Sequence, residues 1–183
     1  MQHYGGKHSK AALDGTLFSA CNATPVTTVA GVTAAAWTGL GLCNPTGSGI
    51  IILVHEFNYA KHIIATAEGA LGLATTTDSG FADSITAKNR LIGGAASKAY
   101  VDAGATLAPA GNLIAWIASF GDDAAAEDGY TPTQGVYTID GALVLPPGMS
   151  VVTCTDAVQT TVFTFGFMWE EVPIPSDFIF SRH

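Results

Sequence analysis

Hydrophobic positions along this chain recur mostly at every second residue. The clearest case is 162–169, where Phe163, Phe165, Phe167 and Trp169 alternate with Val162, Thr164, Gly166 and Met168. Successive strand residues point to opposite faces, so the four rings form one stripe, whereas a helix would scatter them around its circumference. The same reading predicts strands at 17–20, 26–29, 37–43, 50–59, 63–67, 71–77, 113–120, 136–145, 150–155 and 162–172. Turn signals punctuate them: Asn44-Pro45-Thr46-Gly47-Ser48-Gly49, Pro109-Ala110-Gly111 and Leu145-Pro146-Pro147-Gly148. The opening of 50–59 is continuously apolar, as suits a central strand covered on both faces.

The stretch 83–100 is less regular. Ile85, Leu91, Ile92, Ala95 and Tyr100 roughly keep a helical face. Gly93-Gly94 would cost a helix about 2 kcal/mol, so a loop followed by a strand near 98–107 is the better expectation. Some eight strands separated by turns predict an all-β fold, an antiparallel β-sandwich of jelly-roll type with the last strand central in one sheet. Residues 1–15 read as an N-terminal arm, 16–172 as the sandwich domain and 173–183 as an extended C-terminal tail. Pro173 and Pro175 hold the tail extended, and Ile174, Phe178, Ile179 and Phe180 need apolar cover, from a neighbouring subunit or from the tail's own sandwich.

Composition changes this picture in one respect. Apolar residues make up 48% of the 183, yet only 12% are charged, and Ala, Gly and Thr are abundant. A surface of that kind is weakly solvated and is buried against neighbours at small desolvation cost, which points to a chain packed among others. The net charge of -8 and the scattered Lys and Arg argue against direct binding of nucleic acid. No run approaches the ~20 apolar residues of a membrane span, and the polar start lacks the apolar stretch of a signal peptide. Cys21, Cys43 and Cys154 are odd in number and widely spaced, so free buried thiols in a reducing cytoplasm are expected. Pro25 makes the sequon Asn22-Ala23-Thr24 a poor acceptor.

The chain carries few patterns with a chemical signature. His55, Glu56 and His62 lack the i, i+4 histidine spacing of a helical zinc site, and His55 and His62 would face opposite sides of a strand. Gly39-Leu40-Gly41 and Gly47-Ser48-Gly49 do not extend to a dinucleotide fingerprint or a P-loop, and Ser48 lacks the spacing of a hydrolase elbow. Asp122, Asp123, Glu127 and Asp128 miss the spacing of a calcium loop. Glu56, Asp140, Glu170 and Glu171 could pair only by converging in space, and adjacent Glu170 and Glu171 face apart. No catalytic residue, metal or cofactor is therefore expected. Trp37, Trp116 and Trp169 lie inside strand patterns and are predicted core, while Trp116, Tyr130 and Tyr137, near loops, are the candidates for stacking a sugar.

Three segments carry a resemblance: 42–50 with its Asn44-Pro45-Thr46-Gly47-Ser48-Gly49 turn, 141–148 ending in Pro146-Pro147-Gly148, and 167–173 with Trp169-Glu170-Glu171. In this order they resemble the small jelly-roll virion proteins of tailed bacteriophages, especially those that decorate or cement the head, over about residues 37–173. The resemblance implies a non-enzymatic structural protein, a trimer, made in the host bacterial cytoplasm and mounted on the capsid surface against the major capsid protein. It implies turn roles for Asn44 to Gly49 and Pro146 to Gly148, and a core role for Trp169. The expected subunit or capsid contacts are Lys7 and Lys10 on the arm and Ile174, Phe178, Ile179 and Phe180 on the tail. The alternative is a tail or head-fibre module that binds host surface glycans.

Overall fold

A computed structural model describes residues 6–28, 35–62, 69–107, 111–120, 134–157 and 162–175. A short helix α1 (Ser9–Leu13) precedes eleven strands: β1 (Leu17–Cys21), β2 (Val26–Thr27), β3 (Ala35–Asn44), β4 (Ile50–Lys61), β5 (Gly69–Thr77), β6 (Lys88–Asn89), β7 (Tyr100–Leu107), β8 (Asn112–Phe120), β9 (Gln134–Leu145), β10 (Met149–Thr155) and β11 (Val162–Pro173). Among the described residues they form two antiparallel sheets packed as a β-sandwich. One runs β6-β1-β11-β4-β9 with β2 also on β11; the other runs β7-β3-β10-β5-β8.

The pairing is nested. β1 lies against β11, β3 against β10, β4 against β9 and β5 against β8. The last strand is central, between β1 and β4, as its ring-rich pattern requires. Phe163, Phe165, Phe167 and Trp169 are all buried in one core shared by both sheets, with Phe57, Leu40, Leu42, Ile52, Leu71 and Val151. Stacked and tilted ring pairs run along the stripe, Phe163 on Phe165 at 5.5 Å and Phe57 on Phe167 at 5.1 Å between centroids.

The alternate residues find separate cover. Val151 belongs to the main core, whereas Val152 and Cys154 turn to the outer face of the second sheet, where Trp37, Ala74 and Leu107 pack with Phe81 and Ala105. On the outer face of the first sheet, Met168 is buried with Leu17 beneath Ala11 of α1. The segment 9–13 is thus a helical turn seated on β1 and β11, an element the polar sequence did not signal. The Gly93-Gly94 stretch is irregular and leads into β7, as expected. The strand expected at 63–67 lies outside the described residues.

Two tryptophans are core, with Trp37 and Trp169 fully buried. Trp116 is not. It is 47% exposed, because β8 is an edge strand and lets its ring lie over Gly72 of β5 on the outer face. Cys43 and Cys154 are buried free thiols as expected, but Cys21, at the end of β1, is exposed.

Candidate functional site

The turn 44–49, the turn 146–148 and the end of β11 meet at one end of the sandwich. Asn44 is fully buried, and its amide donates to the carbonyls of Leu145 at 2.8 Å and Ile50 at 2.9 Å while its Oδ1 accepts from Ser48. Gly148 donates its N–H to the Asn44 carbonyl at 2.7 Å, so one residue fastens both turns. Asp78 accepts from the Thr46 N–H, and the Thr46 side chain, then this N–H, hold its carboxyl below its ordinary value. Ile174 donates to the Gly49 carbonyl at 3.2 Å, and Lys98 Nζ reaches the Ser48 carbonyl. Glu171, buried on the inner side, accepts from Ser97 Oγ, from the N–H groups of Lys98 and Ala99, and from the indole N–H of Trp169.

Glu170 faces the other way. Its Oε1 accepts from Thr16 Oγ1, and its Oε2 lies 3.5 Å from His55 Nε2. His55 occupies a double irregularity in the first sheet. Pairing steps from Glu56 to Val54 opposite Met168 and Trp169, leaving His55 unpaired, while on the other side residues 139–142 of β9 bulge outward. Asp140 and Gly141 take positive φ there. The His8 ring covers His55 at 4.2 Å between centroids, and Lys7 and His8 both approach Asp140. Burial, then the neighbouring His8, pushes the His55 imidazole below its ordinary value, against the opposing pull of Glu170 and Asp140. Neither ring nitrogen of His55 makes a hydrogen bond in acceptable geometry.

The interface residues expected from sequence thus separate. Lys7 bridges to Asp140 and Lys10 to Asp14, both on the N-terminal segment that α1 seats on the first sheet. Ile174 is half-buried at the motif-bearing end. Phe178, Ile179 and Phe180 lie outside the described residues, as do the acidic loop and Tyr130. The carboxylates do not form one site: Glu171 is inside, Glu170 and Asp140 surround His55, and Glu56 lines an open groove of about 500 Å³ with Ser19, Asn58, Lys88 and Arg90. Among the described residues no three His, Cys, Asp or Glu side chains are placed to hold a metal, and no helix is long and apolar enough to cross a membrane. The sequon residue Asn22 is buried, bonding the carbonyls of Thr24 and Phe163 and the N–H of Phe165.

A different surface escaped the sequence reading. Six of the large exposed apolar side chains belong to β8 and β9: Leu113, Ile114, Trp116, Val136, Tyr137 and Val144. Among the described residues these are edge strands of the two sheets on one side of the sandwich, and an apolar slot of about 160 Å³ runs between them, lined by Ile114, Tyr137, Ile139 and Leu143. The run Leu113-Ile114-Ala115-Trp116 has no polar alternation, which was the available signal. No family model matches this chain, and no curated protein matches it either.

Proposed function

We propose that this chain is a non-enzymatic virion structural protein of a tailed bacteriophage, a capsid decoration or cement protein that binds the major capsid protein and stabilises the head. The observation that carries the reading is the meeting of its three resembling segments at one end of the sandwich, fastened by Asn44, Gly148 and Ile174. Segments far apart in sequence that share one structural corner are better explained by one inherited design than by three chance turns. The nested pairs β1·β11, β3·β10, β4·β9 and β5·β8 support the finer assignment of the sandwich as a jelly roll. The charge-poor surface and net charge of -8 favour protein neighbours over nucleic acid.

The protein acts by bridging capsid subunits as a homo-oligomer, a trimer by family analogy. Contacts of many copies together raise the barrier to shell rupture. Particles lacking the chain are expected to release DNA at lower temperature, and adding the purified protein back restores the wild-type release temperature. Equal release temperatures with and without the chain would overturn the reading. One observation favours a second reading, a glycan-binding fibre module: Trp116 and Tyr137 are exposed and available to stack a sugar ring.

A further inference from the structure

We propose that the stacked rings of His8 and His55 make the segment 7–13 an acid-released clasp, seated on the first sheet while either ring is neutral and lifted from it when both carry a proton. The inference goes beyond the assembly reading above and does not depend on it.

Among the described residues this segment has a small seat. α1 is one short stretch of helix with no side-chain cap at its start, so it depends on that seat for its helical form. Ala11 packs on Leu17 and Met168, the His8 ring lies on His55, and Lys7 pairs with Asp140. Thr16 adds two bonds to the Ala11 carbonyl, from its N–H at 3.0 Å and its hydroxyl at 3.2 Å. The Lys10 pair with Asp14 is exposed and holds the segment to no strand. Downstream the chain is fixed, because Asn89 donates to the Gly15 carbonyl at 2.9 Å and Glu171 donates its N–H to the Thr16 carbonyl at 2.9 Å. Gly15, at φ +72°, is therefore the point about which the segment lifts, and lifting uncovers Leu17 and Met168.

The charges around His55 set the direction. It is only 6% exposed and neither ring nitrogen makes a well-formed hydrogen bond, a cost that an apolar ring in its place would avoid. Facing it are His8, 4.2 Å away between centroids, Glu170 of β11, whose Oε2 lies 3.5 Å from Nε2, and Asp140 of β9; Glu56, next to it on β4, lines the open groove instead. One proton on the ring pair is balanced by these carboxylates. A second sets two imidazolium rings against each other in an enclosed place, with Asp140 already paired to Lys7 and Glu170 already bonded by Thr16. The segment relieves this by leaving. Lifted, it returns His55 to water, where the ring takes its proton at the ordinary value; seated, it holds the ring below that value, by burial and then by His8. The lifted state therefore binds more protons once the pH drops below about 6.5, and acid shifts the balance toward it.

Nuclear magnetic resonance of the full chain, with labelled methionine methyls and labelled imidazole nitrogens, tests this directly. Met168 lies beneath Ala11 and reports the seat, while Met149, on β10 of the other sheet, is the control. As the pH is lowered from about 7.5, the Met168 methyl and the amides of α1 are expected to take the shifts of an exposed chain below about pH 6.5, in step with protonation of both imidazoles, while Met149 stays in place. His8→Phe keeps a ring on His55 without the second charge, and is expected to lower the midpoint of release by about one pH unit or more. Two protonated imidazoles with Met168 still covered overturn the inference, as does a Met168 methyl that keeps its place down to about pH 4.5 or is already exposed at about pH 7.5. Equal midpoints for wild type and His8→Phe also overturn it and assign the release to the carboxylates. Movement of Met149 together with Met168 reports unfolding of the whole sandwich and overturns it as well. Should His8→Phe fail to fold, the wild-type imidazole titration against the Met168 shift decides by the first of these outcomes.

Discussion

Asn44 is expected to be costly to remove from the motif-bearing end. Its side chain is fully buried and makes three hydrogen bonds, to the carbonyls of Ile50 and Leu145 and from Ser48. Asn44→Ala deletes all three. At about 1 kcal/mol net per buried bond, with more where a partner is left without water, the loss is about 3 kcal/mol. Asn44→Asp keeps the acceptor for Ser48 but turns a carboxylate oxygen toward two carbonyls, and should cost at least as much. Ser48→Ala removes the bond to Asn44 and the longer one that Ser48 Oγ accepts from the Ile50 N–H at 3.4 Å, about 1–2 kcal/mol together, and the double variant Asn44→Ala/Ser48→Ala should cost less than the sum by about 1 kcal/mol, since the shared bond is lost only once. Urea unfolding followed by tryptophan fluorescence measures all four. A loss below about 1 kcal/mol for Asn44→Ala, or strict additivity of the pair, would refute the view that this residue clamps the two turns.

Other expectations follow from single features. His55 is held below its ordinary value near 6.5, so the folded state binds fewer protons than the unfolded one as the pH drops below that value; the stability His55 supports is complete above it and declines as pH falls toward the folded value. His55→Leu should therefore gain relative to wild type as the pH falls below about 7, read from urea midpoints, and a difference independent of pH would exclude His55 as the source. Burial raises the Cys43 and Cys154 thiols to about 11, while Cys21 is exposed, so a thiol reagent at neutral pH should label one cysteine in the native protein and three after unfolding. Gly80 and Gly49 both have positive φ, but an added Cβ at Gly80 would run into the Thr106 carbonyl while Gly49 faces open space. Gly49→Ala should cost about 1 kcal/mol and Gly80→Ala clearly more, and equal melting temperatures for the two would contradict this.

The strands most legible in the sequence were those with strict alternation or unbroken apolar character, β4, β10 and β11, because both patterns report burial directly. Trp116 was misread for an instructive reason: a strand pattern fixes which face a residue takes but not whether its strand lies at the edge of the sheet. Cys21 escaped burial similarly, by ending β1. The seat of α1 depends on Ala11 meeting Leu17 and Met168, a tertiary contact that five residues flanked by polar ones cannot announce. The His8–His55 pairing likewise arises from a bulge in β4, and a bulge leaves no signature in residue spacing.

The nested pairing also governs when the molecule can fold. Leu17 pairs with Glu170, so the first strand waits for nearly the whole chain, and the central strand of its sheet is the last to be synthesised. Almost every strand contact spans a long stretch of sequence, which places the protein among high-contact-order folds that form slowly. On the ribosome the apolar faces of β3, β4 and β5 therefore emerge before Phe163, Phe165, Phe167 and Trp169 exist to cover them. Chains cut short before β11 are then expected to collect as aggregates or be degraded.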